Sequence, residues 1–105
     1  MATLITQAEA AKMLETCIAP RVTEQSITDK IAFVDYIHHA TTTVCFITMN
    51  NGFKFVGTST PASPANYKEE LGKKYAYDNA FKQIWTHEGY LLRENLSKNE
   101  GNQNV

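Results

Sequence analysis

The amino-acid sequence predicts an α+β domain: N-terminal helices, a small antiparallel β-sheet with an Asn-Gly hairpin, and a long C-terminal helix packed on the sheet. Three observations predict this fold class. Capping signals precede two short apolar segments, an Asn-Gly pair separates two strand-like stretches, and a helical apolar stripe follows residue 64. The 105 residues have the length of one domain. We expect that domain over residues 1–96 and a disordered tail over residues 97–105, which contain a single aliphatic side chain.

Two helices are predicted before the sheet. Thr6 and Glu9 have capping-box spacing, and Pro20 ends the first helix because proline has no backbone N–H to donate. One apolar helical face is formed by Ala10, Met13, Leu14 and Cys17. Thr23 is the expected N-cap of a second, shorter helix, and Ile27 belongs to its buried stripe.

The sheet is predicted from three strand-like stretches: Ala32–Ile37, Thr42–Met49 and Phe53–Ser59. Asn51-Gly52 has the chemistry of a two-residue type I′ turn, because both residues tolerate a positive φ. The resulting register pairs Asn50 with Phe53, Thr48 with Phe55, and Phe46 with Gly57.

Both faces of this hairpin are substantially apolar, whereas a half-exposed hairpin has one polar face. The C-terminal helix is expected to cover one face. Either the N-terminal helices or a second copy of the chain covers the other. So much apolar surface on so small a chain favours a homo-oligomer, either a dimer or a multiple of one.

The main helix is predicted from Pro64 to Glu88, with Ser63 as its N-cap and Gly89 as the residue that closes it. Gly72 interrupts the apolar pattern and indicates a close packing contact or a kink. The expected core consists of Val44 or Cys45, Phe46, Ile47, Phe55, Val56, Leu71, Ala80, Phe81, Ile84 and Trp85.

Composition excludes several classes of function. Ten basic and eleven acidic residues give a net charge of −1, so the chain lacks the basic character of a generic nucleic-acid-binding protein. No apolar stretch is long enough to span a membrane, and no secretory signal begins the chain, so we expect a cytosolic protein without a membrane partner. Cys17 and Cys45 are both interpreted as small buried hydrophobic residues.

Catalytic and cofactor motifs are missing from the sequence. It contains no nucleophile elbow, phosphate-binding loop, dinucleotide fingerprint or paired metal-ligand spacing. His38 and His39 are adjacent in a strand and therefore point to opposite faces, which does not suit one metal ion. We expect a protein that is not an enzyme and uses no cofactor or metal.

A candidate ligand site lies between Gly57 and Asn66, where hydroxyl groups precede the predicted start of the main helix. Free N–H groups at a helix N-terminus attract anions, so this place can hold a phosphate or a carboxylate; of the two, a phosphate-bearing small molecule is the ligand we expect. The candidate binding residues are Lys54, Thr58, Ser59, Ser63, Asn66, Tyr67 and Lys73. Simple capping of the helix accounts for the same residues, and the residue pattern alone favours capping over a ligand site while leaving both interpretations open.

Motifs in a fixed order cover residues 19–96. They are Ala19-Pro20-Arg21-Val22-Thr23, Thr43-Val44-Cys45-Phe46-Ile47-Thr48, Asn51-Gly52-Phe53, Gly57-x-Ser59, Pro64-Ala65-Asn66-Tyr67, Glu70-x-Gly72-Lys73, Ala76-Tyr77, Ala80 and Trp85-x-x-Glu88-Gly89-Tyr90-x-Leu92. On these motifs the chain resembles a family of small tailed-bacteriophage and prophage proteins of unknown function. It departs from the family pattern at Thr60-Pro61-Ala62, and the segment before Pro20 is a local addition.

The resemblance implies a phage protein that works in the host bacterial cytoplasm, without implying an activity. Some unrelated small phage proteins are oligomeric sponges for nucleotide second messengers of bacterial immunity, which is an analogy of context alone. We therefore favour a non-catalytic, homo-oligomeric binder of a nucleotide-type signal that counters host immune signalling. The alternative is a protein-interaction module that inhibits a host defence or regulatory protein directly. An enzyme that hydrolyses such a signal is the least favoured hypothesis.

Overall fold

Along the chain, two short helices precede a three-stranded antiparallel sheet and a long helix follows it, which confirms the predicted α+β class. The computed structural model describes residues 4–103, and side chains as far as residue 100. The elements, in chain order, are α1 (Gln7–Leu14), α2 (Glu24–Thr28), β1 (Ile31–His39), β2 (Thr42–Met49), β3 (Lys54–Ser59), a one-turn 3₁₀ helix (Pro64–Asn66) and α3 (Glu69–Gln103). The strand order is β1-β2-β3, and α3 packs across β2 and β3.

The N-terminal helices begin where their capping signals predict. The Thr6 hydroxyl accepts a hydrogen bond from the Glu9 N–H, and the Glu9 carboxylate accepts one from the Thr6 N–H, which closes the capping box of α1. Thr23 caps α2 in the same reciprocal way with Ser26. Ile27 of α2 is fully buried, whereas α1 has no buried residue.

The hairpin register differs from the prediction by one residue. Cys45 pairs with Gly57 and Ile47 with Phe55, because three residues, 50–52, form the loop instead of two. Within the described chain only Gly52 of this loop has a positive φ, whereas a type I′ turn needs two such residues. Since side chains alternate along a strand, the shift moves Phe55 onto the face of Cys45 and Ile47 and moves Val56 to the opposite face.

One face of the sheet is covered by α3 and holds the core. The buried apolar residues are Ile27, Cys45, Ile47, Met49, Phe55, Ala76, Ala80 and Ile84. The helix lies close to the sheet at Gly57, where an added Cβ would collide with the backbone of Ala76 and Ala80. The interruption at Gly72 is likewise a close packing contact, because a Cβ there would collide with the Thr43 hydroxyl. These small residues therefore set the distance between helix and sheet.

The other face of the sheet has no covering element among the described residues. We call it the open face; its apolar side chains are Phe33, Ile37, Val44, Phe46 and Val56. Phe33 and Ile37 are 53% and 55% exposed, and Val56 is 43% exposed. Neither N-terminal helix shields these three residues, so the first of the two predicted covers is not observed.

The predicted boundaries of the main helix are wrong at both ends. Ser63 precedes only the 3₁₀ turn and makes no side-chain cap, and the extended backbone at Tyr67 delays the start of α3 to Glu69. Gly89 does not have a positive φ and α3 continues through it, with Leu92 and Leu96 half-buried on one side. The helix also extends through Ser97, where the predicted disordered tail begins; Asn104 and Val105 lie outside the described residues.

Four residues predicted to be buried are exposed. Val56 is exposed because of the register shift, and Leu71 and Trp85 lie on flanks of α3 that do not face the sheet. Cys17 is exposed because it lies beyond the end of α1, which packs no side chain into the core. Cys45 is buried, as predicted.

Candidate functional site

A cavity of about 250 Å³ lies between the end of β3 and the beginning of α3. Its lining residues are Ser59, Thr60, Pro61, Asn66, Tyr67, Lys68, Leu71, Gly72 and Tyr75. Their side chains offer hydroxyls, an amide, two phenol rings and one ammonium group. Among these residues Lys68 is the only charged one, so the cavity wall is positive.

Three local features of the chain build this cavity. The strand β3 ends at Ser59, which is half-buried and pairs with Thr43. The 3₁₀ turn then reverses the chain, with the Tyr67 N–H donating to the Pro64 carbonyl at 3.1 Å. On α3, Leu71 and Tyr75 are four residues apart and therefore lie on one side of the helix. That side faces the cavity, which explains why Leu71 does not reach the core.

The predicted site residues divide into two groups. Ser59, Asn66 and Tyr67 line the cavity together. The remaining four lie elsewhere: Lys54, Thr58, Ser63 and Lys73. Lys54 and Thr58 alternate with Phe55 and Gly57 and therefore belong to the open face. Lys68 and Tyr75 also line the cavity and are not among the predicted site residues, because their positions relative to it depend on where α3 begins.

Lys73 is held away from the cavity by contacts with β1 and its own helix. Its Nζ atom is 3.4 Å from Oε1 of Glu69 and 5.6 Å from the centroid of the Tyr36 ring. The Nε2 atom of His38 is 3.6 Å from the same Glu69 oxygen. These contacts connect the beginning of α3 to the end of β1.

Tyr67 is positioned by the same histidine. The hydroxyl of Tyr67 is 3.4 Å from Nδ1 of His38, and the hydroxyl of Thr43 is 3.3 Å from that nitrogen. The phenol ring of Tyr67 thus has a fixed neighbour on β1 before any ligand arrives. Such preorganisation lowers the conformational entropy that binding costs.

A larger cavity of about 390 Å³ lies at the other end of the core, beside the hairpin loop. Its walls are mainly apolar and aromatic, with the ring of His87 5.1 Å from that of Phe55. Lys30 and Glu88 form an ion pair at its margin, with 2.7 Å between Nζ and Oε2. No local motif predicted this cavity, because its ion pair joins residues 58 positions apart.

Three further properties bear on function: metal binding, membrane insertion and thiol reactivity. There, no group of three or more His, Cys, Asp or Glu side chains is arranged to hold a metal ion. None of the helices in the described range is both long and apolar enough to cross a membrane. Burial raises the pKa of the Cys45 thiol, so this cysteine is held in its protonated, unreactive form.

The comparison with known families supports the resemblance seen in the sequence motifs. The sequence profile of the phage protein (N4 Gp49/phage Sf6 gene 66) family matches residues 18–96. The matched segment includes the whole sheet, the cavity between β3 and α3, and most of α3, and it begins after α1. No curated protein and no solved structure matches the chain.

Proposed function

Because the chain belongs to the phage protein (N4 Gp49/phage Sf6 gene 66) family, we propose that it is a non-catalytic accessory protein that acts by binding. Its ligand is a phosphate-bearing small molecule of the nucleotide type. By sequestering that molecule in the host cytoplasm as a homo-oligomer, it counters host immune signalling. No catalytic group is needed for this role, since a sponge acts by lowering the free concentration of its ligand.

One observation carries this proposal: the cavity between β3 and α3 combines a cation, hydroxyl donors and aromatic rings. Lys68 can form a charge-assisted contact with a phosphate, and no acidic side chain lines the cavity to oppose it. Tyr67 and Tyr75 provide rings on which a base can stack. Ser59 and Asn66 add polar groups that can orient the ligand.

The larger cavity is a poorer anion site. Its lysine, Lys30, is already paired with Glu88, so a bound phosphate would have to compete with a carboxylate 2.7 Å away. The smaller cavity has no such competitor, because Lys68 forms no ion pair within the described chain. We therefore assign the ligand to the smaller cavity.

Isothermal titration against cyclic nucleotides and ADP-ribose derivatives tests the proposal. We expect Lys68→Gln, Ser59→Ala and Asn66→Ala each to weaken binding tenfold or more, about 1.4 kcal/mol. Lys73→Gln and Lys82→Gln are matched controls, because both lysines lie outside the cavity. The proposal fails if no nucleotide binds the parent protein. It also fails if the control lysines matter as much as Lys68.

A second candidate function is favoured by the open face. A module that inhibits a host protein directly needs a flat apolar surface, and Phe33, Ile37 and Val56 form one that is about half exposed. Under this alternative, Ile37→Ser abolishes capture of a host protein while Lys68→Gln leaves capture unchanged. Nucleotide binding that depends on Lys68 favours the first function instead.

A further inference from the structure

We infer that the open face is the surface on which two copies of the chain associate, packed face to face with their two-fold axis along the strands. In this arrangement Asp35 of each copy lies beside Lys54 of the other. The inference rests on the self-association in the proposed function and names the surface responsible. It is independent of the ligand cavity, which lies between β3 and α3.

The open face is apolar and uncovered. Phe33 and Ile37 on β1, Phe46 on β2 and Val56 on β3 share it, and three of these four are more than 40% exposed. Two twisted sheets commonly bury such faces against each other at a separation of about 10 Å. Because the N-terminal helices leave the face exposed, a second copy is the remaining cover that this chain can supply.

The edge of β3 is closed by its own helix: Asn79 Oδ1 accepts a hydrogen bond from the Thr58 N–H, and Gln83 Nε2 donates one to the Val56 carbonyl. That edge cannot add a strand from another copy without losing these bonds. A broad contact between faces leaves them intact.

The open face also carries one acidic and one basic side chain. Asp35 projects from β1 in the row that contains Phe46 and Val56, and Lys54 projects from β3 in the next row, beside Thr48. Both side chains are exposed, and neither forms an ion pair within the described chain. The face therefore has an unpaired acid on one edge strand and an unpaired base on the other.

This pattern selects one two-fold axis. Rotation about an axis that is parallel to the strands and lies over β2 places β1 of one copy on β3 of the other. Each row of paired residues keeps its position along the strand direction. Asp35 then lies over Val56 of the second copy and next to its Lys54, and this contact occurs twice. A two-fold axis perpendicular to the strands would instead place β1 on β1 of the second copy. Both Asp35 residues would then lie on the same pair of facing strands, and both Lys54 residues on the opposite pair. Opposite charges favour the first arrangement.

Charge reversal tests the inference by sedimentation velocity from about 1 to 200 µM. The parent should change from an 11.8 kDa species to one of twice that mass. Asp35→Lys and Lys54→Asp should each raise the dissociation constant tenfold or more, because like charges then meet twice. The double variant, or an equimolar mixture of the two single variants, should return to within about threefold of the parent. Glu94→Lys and Lys82→Asp, both exposed on α3, are the matched controls.

Each other outcome overturns the inference in a distinct way. A parent that stays at 11.8 kDa removes self-association and leaves the open face to a host protein, while nucleotide titration still decides the ligand proposal. A dimer that neither charge reversal weakens has its interface elsewhere, for example at the edge of β1. Weakening without rescue in the double variant or the mixture shows that Asp35 and Lys54 are not partners. Circular dichroism of each variant separates these results from loss of folding.

Discussion

The two faces of the sheet have similar apolar residues but very different surroundings. On the covered face, Cys45 and Ile47 are fully buried against Ala76, Ala80 and other residues of the core cluster. On the open face, Phe33 and Ile37 are about half exposed although their side chains are larger than the alanines of α3. The apolar content of a strand therefore does not determine which of its two faces is covered. On the covered face, Gly57 has no side chain and meets the small residues Ala76 and Ala80, which lets α3 approach the sheet closely.

The contrast between the faces should be largest for two isoleucines. Ile47→Ala should lower the free energy of unfolding by about 2–5 kcal/mol, because it leaves a cavity beneath α3. Ile37→Ala on the open face should cost less than about 1 kcal/mol, since this side chain is 55% exposed. Urea denaturation at about 1 µM protein measures both and keeps self-association from stabilising the open face. Equal losses would show that something covers Ile37 in the monomer.

A methyl group added at Gly57 should destabilise almost as much as the cavity at Ile47. Gly57→Ala places a Cβ against the backbone of Ala76 and Ala80, so helix or strand must move. We expect a loss of about 1–3 kcal/mol, typical of overpacking in a core. Thermal denaturation followed by circular dichroism measures the loss. An unchanged melting temperature would mean that α3 does not rest on β3 at this residue.

Local signals in the sequence predicted the parts of the fold that depend on neighbouring residues. The capping boxes at Thr6 and Thr23 are short-range patterns, and both helices begin there. The hairpin register could not be predicted, because Asn51-Gly52 suits both a two-residue loop and a three-residue loop ending in a left-handed glycine. The one additional loop residue shifts the register, so that Phe55 and Val56 lie on the faces opposite to those predicted, and part of the predicted core changes with them.

The candidate site was predicted in part for the same reason. Ser59, Asn66 and Tyr67 lie within nine positions of one another, and local turn chemistry brings them together. Lys68 is not among the predicted residues; it directly precedes the observed start of α3 at Glu69, whereas the predicted helix begins at Pro64. Lys73 is a predicted site residue because of its charge alone. It lies outside the cavity because its contacts with Glu69 and Tyr36 depend on how α3 packs against β1, which a local pattern does not show.

Alkaline pH should destabilise the protein by less than Ile47→Ala or Gly57→Ala does, through ionisable groups on the covered face. Burial raises the pKa of Cys45 above its ordinary value of 9.0, and burial likewise raises the pKa of Tyr36 and Tyr77 above 10.0. The unfolded chain therefore releases these protons first, so stability is fully present below pH 9 and decreases as pH rises beyond it. Melting temperatures from pH 8 to 10.5 measure the decrease. In Cys45→Ala the decrease should begin nearer pH 10, where tyrosines ionise; an unchanged onset would contradict the assignment.

The smallest expected effect, and the only stabilising one, is at Gly89. This residue lies inside α3 without a positive φ, and nothing lies within 4 Å of an added Cβ. Gly89→Ala should therefore stabilise the protein by about 0.5–1 kcal/mol, because alanine loses less backbone entropy in a helix.

Gly72→Ala in the same helix is the matched comparison. Its Cβ would collide with the Thr43 hydroxyl on the covered face, so its packing penalty should outweigh the helix propensity gain. Urea denaturation should give a higher free energy of unfolding than the parent for Gly89→Ala and a lower one for Gly72→Ala. If Gly89→Ala destabilises as well, the helix ends at Gly89, as the sequence pattern predicted, because a left-handed closing residue is the one conformation there that alanine adopts poorly.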